Sequence, residues 1–149
     1  MITKLPYLPS DREILFVPEG HPFLLEAKKA AETGSLDTRH PTGAVVVRGE
    51  KILGRGANGS AFHAQFGCAR KLLHIATGTH YWLCPGCSPK NHAEQSAIDN
   101  AIKNGESCEG ADLYLYGHWW CCESCWGKMI RYGIRNVYLV EGAEAKFGR

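Results

Sequence analysis

Residues 113–140 read LYLYGHWWCCESCWGKMIRYGIRNVYLV, Leu113 through Val140. Leu113-Tyr114-Leu115-Tyr116 is a strand composition, and Val137-Tyr138-Leu139-Val140 is another. Between them Cys125, Trp126, Met129 and Ile130 recur at helical spacing, and Gly133 supplies a stop, which predicts a helix over about 122–132. Strand, helix, strand is a βαβ unit, right-handed with parallel strands. The chain is therefore an α/β protein.

Upstream, Ala93, Ala97, Ile98, Ala101 and Ile102 make the apolar face of a helix over about 92–104, closed by Gly105. Gly43-Ala44-Val45-Val46-Val47 has a buried-strand composition. Arg48-Gly49-Glu50-Lys51 turns the chain, and a strand starting at Ile52-Leu53 returns to about Ala57, giving a β-hairpin. A further helix over about 22–33 begins with Pro22 and ends before Gly34, with Phe23, Leu24, Ala27, Ala30 and Ala31 on one stripe. Residues 1–20 read as an extended lead-in, with Ile14-Leu15-Phe16-Val17 too short to assign. Residues 58–90 form a long loop rich in Gly, Cys and His, and a loop of that length needs a function or a tether.

A chain of 149 residues with 21% charged and 44% hydrophobic residues reads as one globular domain, 1–149, and excludes global disorder. A net charge of +2, with no basic run, argues against a polyanionic partner. No apolar stretch reaches membrane-spanning length, and the N-terminus has no secretory h-region, so the expected compartment is the cytoplasm. In that reducing environment the paired cysteines among the seven read as metal ligands before disulfides.

Two motifs carry chemistry: His92-Ala93-Glu94 at one helix start and Cys122-Glu123-Ser124-Cys125 at another. One imidazole and two thiolates match the three protein ligands of a catalytic zinc, which keeps a fourth position for water. Cys122 and Cys125 are three residues apart and face one side of a helix start, where the dipole favours thiolate. Glu94 beside that water can take its proton and pass it to a ring nitrogen and a leaving amine. A purely structural zinc site has no use for such a carboxylate. H-x-E followed by C-x-x-C is the general pattern of zinc deaminases.

On these residues, and on His92-Ala93-Glu94-Gln95-Ser96-Ala97-Ile98 and Tyr132-Gly133-Ile134-Arg135-Asn136-Val137, the chain resembles the cytidine and deoxycytidylate deaminase superfamily over about 22–140, most nearly its deoxycytidylate branch. The resemblance implies a three-layer α/β/α sandwich with a mixed central sheet and zinc at the starts of two helices. It implies that His92, Cys122 and Cys125 hold zinc and that Glu94 shuttles protons. It implies that Asn58 contacts the substrate sugar, and that the backbone of Ala93 lies against the base. The expected reaction is hydrolysis of a C–N bond in a cyclic amidine, dCMP to dUMP plus ammonia, with a free nucleotide as substrate and no nucleic acid or membrane partner. Self-association into a homo-oligomer is also implied.

The chain departs from the family pattern in places. Cys121 stands where the family has proline, which places a rival thiol beside a ligand. Trp119 and Trp120 replace smaller residues before it, and one of them is expected to line the pocket. Trp126 reads as core, and Cys108 as a partly exposed thiol. The fifth strand of the family core has no clear counterpart; either that edge is missing, or residues 11–17 or a partner copy would supply it. Cys84-Pro85-Gly86-Cys87, with Cys68, would hold a second, structural zinc pinning the long loop. The competing reading makes Cys68 and Cys84 small buried hydrophobes. Arg70, Lys71 and Lys90 would hold a phosphate or simply be surface charge. Two other functions stay open: a deaminase of cytosine or adenine in single-stranded DNA or RNA, with the tryptophans as a stacking platform, and a zinc-stabilised binding module without turnover.

Overall fold

The computed structural model describes residues 7–37, 39–59 and 92–148. In chain order the elements are β1 (Ile14–Val17), α1 (Pro22–Gly34), β2 (Gly43–Arg48), β3 (Lys51–Ala57), α2 (Ala93–Lys103), β4 (Asp112–Tyr116), α3 (Glu123–Arg131), β5 (Val137–Val140) and α4 (Ala143–Phe147). The strands form a sheet of order β1-β5-β4-β2-β3. β4 and β5 run parallel, with Leu113 opposite Val137 and Tyr114 opposite Tyr138, as the βαβ reading requires. The β2–β3 hairpin is antiparallel and joins through β2 to β4, also antiparallel, so the sheet is mixed.

Ile14–Val17, read as part of a lead-in, is the edge strand, parallel to β5 from Ile14↔Val137 to Val17↔Val140. Of the two sources left open for the fifth strand, the chain's own N-terminal segment supplies it. Four apolar residues carry too little periodicity to declare a strand. Their assignment comes from the backbone partners that β5 offers.

Alternation along β2 separates two cores. Val45 and Val47 pack with Ala27 and Tyr114 beneath α1. Ala44 and Val46 face the other way, into a larger core with Ala97, Ile98, Trp126 and Met129 of α2 and α3. Helices thus cover both faces, giving the three-layer α/β/α sandwich. Trp126 is fully buried there, as expected of a core residue. Cys108 is buried as well, rather than partly exposed, and burial pushes its thiol pKa up. Ile102 turns outward at 42% exposure, while Glu94 and Gln95 are buried at the other end of α2. Ala93, Ala97, Ile98 and Ala101 of the predicted stripe are buried as expected; Ile102 alone leaves it, and polar Glu94 and Gln95 are held inside at the helix start. α4, not foreseen, closes the described chain; the Phe147 ring meets Tyr116 edge-on at 5.1 Å. Among the described residues no helix is long and apolar enough to cross a membrane.

The seating of α2 is set by backbone on backbone. Gly54 and Gly56 lie on the face of β3 that meets α2. A Cβ at Gly54 would stand 2.5 Å from both the Ala101 nitrogen and the Ala97 oxygen. A Cβ at Gly56 would strike the Ala97 nitrogen and lie 2.8 Å from the Ala93 oxygen. Ala93, Ala97 and Ala101, four residues apart, present the smallest side chains to this contact. Gly56→Ala should therefore lift the start of α2 off the sheet, destabilising the fold by about 1–3 kcal/mol. Gly20→Ala, where an added Cβ meets nothing within 4 Å, should change stability by no more than about 0.5 kcal/mol in the same urea titration.

Candidate active site

α2 and α3 begin at the same end of the sheet, and each begins with a metal-ligating residue. His92 is the N-cap of α2 and Cys122 the N-cap of α3, both in extended backbone conformation. Neither side chain caps its own helix. They turn toward each other instead, and Cys125, on the first turn of α3, completes a triangle. His92 Nδ1 lies 3.3 Å from Cys125 Sγ and 3.6 Å from Cys122 Sγ, and the two sulfurs are 3.3 Å apart. The loop entering α3 is stapled by His118, whose Nδ1 accepts the backbone N–H groups of Trp119 (2.9 Å) and Trp120 (3.3 Å).

Among the described residues these three are the group placed to hold a metal ion. Their spacing fits zinc. Sulfurs bound at ~2.3 Å to a tetrahedral centre stand about 3.8 Å apart, so the two sulfurs, now 3.3 Å apart, need to part by only about half an ångström. Cys121 is not in the group, although it is fully buried next to Cys122. The helical turn decides between the two thiols, because only Cys122 has Cys125 one turn on. The site favours thiolate at Cys122, while Cys125, which keeps the shared proton and is buried, has its pKa pushed up. The Cys122 thiol is held well below its ordinary pKa by the proton that Cys125 shares with it and by His92, against the opposing effect of burial. The positive ends of two helix dipoles point at the same place.

Glu94 sits two residues past His92 and is 5% exposed. Burial raises its pKa, opposed mainly by the neighbouring His92. It stands outside the ligand triad, close enough to both cysteines to feel their charge. The arrangement is three ligands with a buried carboxyl beside them.

Gln95 was not singled out by motif. Its Nε2 lies 3.4 Å from Ser124 Oγ and 3.7 Å from Cys125 Sγ, so it bridges the first turns of the two helices. A glutamine at the third helical position commonly folds back on a Ser or Thr N-cap. The absence of such a cap at His92 is the one sequence signal that this amide is used elsewhere.

Asn58 follows the end of β3 and is tied into the loop before β2. Its Oδ1 accepts from Thr42 N–H at 2.9 Å and from the Ser35 hydroxyl at 2.5 Å, and its Nδ2 donates to the His40 carbonyl at 2.9 Å. Ala93 is fully buried over β3. Trp120 is buried in the main core at 3% exposure, whereas Trp119 is partly exposed and packs against that core. Cys68, Cys84 and Cys87, with Arg70, Lys71 and Lys90, lie outside the described residues, as does the long loop beyond Gly59.

Residues 19–141 match the family described as the cytidine and deoxycytidylate deaminase zinc-binding region. The chain belongs to this family. His92, Cys122 and Cys125 are the described residues able to supply the ligands of the zinc-binding region for which that family is named. ComE operon protein 2 of Bacillus subtilis (strain 168) is 30% identical over 103 residues, 69% of this chain and 49% of that protein. The chain thus spans about half the length of this curated relative. Two solved structures of dCMP deaminase from the cyanophage S-TIM5 share the fold. The apo form has a TM-score of 0.51 at 24% identity, covering 78% of each chain. The complex with dCMP and dUMP has a TM-score of 0.52 at 20% identity, covering 83% of this chain and 84% of that one.

Gln95→Leu keeps the side chain's approximate volume and removes its N–H groups. Loss of a hydrogen bond to a ligand sulfur should lower zinc affinity by about 10–100-fold, read by competition with a chromophoric chelator. Cys122→Ser should weaken zinc retention further, because it removes a ligand.

Proposed function

We propose that this protein hydrolytically deaminates a free cytosine nucleotide, with dCMP, giving dUMP and ammonia, as the first substrate to test. The observation that carries the reading is Glu94: a buried carboxyl beside three converging metal donors and not one of them. A structural metal site has no use for it, whereas a proton shuttle requires it. Family membership and the fold shared with a dCMP deaminase support the same reading.

Zinc held by His92, Cys122 and Cys125 would supply Lewis acidity that activates a water for attack at ring C4. Glu94 takes a proton from that water and delivers it to ring N3. A second proton passes through Glu94 to the 4-amino group. The C4–N bond breaks, ammonia leaves, and C4 becomes the carbonyl of uracil. The reaction is a hydrolysis at a cyclic amidine, and the water supplies the oxygen and both transferred protons. In this reading the Ala93 backbone lies against the base, Asn58 meets the sugar, Trp119 faces the pocket, and the buried Trp120 supports its wall.

Burial of Trp120 favours a free nucleotide over a polynucleotide, because a stacking platform needs exposed ring faces. A second zinc on Cys68, Cys84 and Cys87 remains part of the proposal; metal analysis should then give two zinc ions per chain rather than one.

The test is conversion of dCMP to dUMP by zinc-loaded protein, followed by chromatography. Glu94→Gln should retain its zinc and lose at least about 100-fold in rate, the usual size of a general acid–base contribution. Turnover of a cytosine-containing oligonucleotide without turnover of dCMP would reverse the substrate assignment. Zinc retention without turnover of either would leave a binding module.

A further inference from the structure

Cys121 is fully buried beside Cys122 and is not one of the three metal donors. Cys122 is an N-cap in extended backbone, with φ −71° and ψ 163°. Successive side chains on extended backbone leave on opposite sides, so Cys121 does not join Cys122 and Cys125 on one face. Its thiol meets the carboxyl of Glu94 instead, as a hydrogen-bond partner. Both groups are out of water, so no solvent competes for the contact. Burial in the main apolar core keeps Cys121 as S–H. The thiol is then the donor and a carboxyl oxygen the acceptor.

Two thiols reach that carboxyl, Cys121 and Cys125. Cys125 belongs to the donor triad, and a cysteine that ligates zinc is a thiolate with no proton to give. Zinc binding therefore withdraws the Cys125 donor and leaves Cys121 as the thiol that still holds Glu94. The backbone end of Glu94 is fixed separately, because its neighbour Ala93 is seated on Gly56. Three rotatable bonds separate that backbone from the carboxyl, and the S–H contact restrains their far end. A carboxyl has two oxygens, so holding one leaves the other to take up and return a proton. A proline at position 121 would offer no donor at all.

We propose that Cys121 is a positioning residue: in the zinc-loaded protein its S–H holds one oxygen of the Glu94 carboxyl and leaves the other free to carry protons. This rests on the deaminase reading of Glu94. It also gives a use to the thiol that stands where the family pattern has proline.

The zinc-loaded full chain is examined by infrared spectroscopy in the S–H stretching region, a window clear of other protein bands. Subtracting the spectrum of Cys121→Ala from that of wild type isolates the Cys121 band. It should lie at lower frequency than the band of a free thiol such as N-acetylcysteine. Glu94→Gln should move it back up, because a neutral amide oxygen is a weaker acceptor than a carboxylate. In the dCMP assay, Cys121→Ala and Cys121→Pro should each lower kcat about tenfold, with KM within about twofold and zinc content unchanged. Cys121→Ser, whose hydroxyl can donate in the same place, should recover most of the loss. A Cys121 band at the free-thiol frequency, or one that Glu94→Gln leaves in place, overturns the proposal. So does Cys121→Ala with undiminished kcat. If wild type turns over neither dCMP nor a cytosine-containing oligonucleotide, the proton-carrying role fails together with the deaminase reading, while the S–H band decides the Cys121–Glu94 contact on its own.

Discussion

The contact between β3 and α2 governs the rest of the molecule. Two glycines on the strand and three alanines on the helix bring the two backbones together without intervening side chains. That contact fixes where α2 begins, and α2 begins with His92, Ala93, Glu94 and Gln95. An ordinary side chain at Gly56 would displace the ligand, the carboxyl and the bridging amide together. Close packing transmits such a shift because protein interiors have little free volume to absorb it.

The second requirement is electrostatic. An imidazole, two thiols and a carboxyl are gathered within a few ångströms, largely out of water. Burying charge without compensation is strongly unfavourable. Here two helix N-termini point their positive ends at the cluster, Gln95 reaches a ligand sulfur, and a zinc ion would complete the balance. Burial raises the pKa of Glu94 while the shared proton and His92 lower that of Cys122. The same environment thus pushes a carboxyl up and divides two neighbouring thiols, Cys122 down and Cys125 up.

Much of the site was legible because its residues obey short-range rules. Cys122 and Cys125 share a helical turn, and His92 and Glu94 share another, so spacing alone grouped each pair. Gln95 was not legible as a bridge, since its partners Ser124 and Cys125 are about thirty residues away. The Ser35–Asn58 hydrogen bond spans 23 residues, and no local pattern announces it. Cys121 illustrates the limit from the other side. Its chemistry equals that of Cys122, and only the direction in which each side chain leaves the helix start separates ligand from core.

By itself the sequence determined the βαβ unit, the hairpin, the three principal helices and the two halves of the metal-binding pattern. These follow from periodicity, caps and spacing, which act within a few residues. Tertiary structure alone decided that Ile14–Val17 becomes the parallel edge strand, that Ile102 faces outward while Glu94 and Gln95 face inward, and that the Asn58 side chain meets Ser35, His40 and Thr42. Each of those outcomes depends on a hydrogen-bonding or packing partner distant in the chain. A four-residue apolar run or a buried amide takes its meaning only from what it meets.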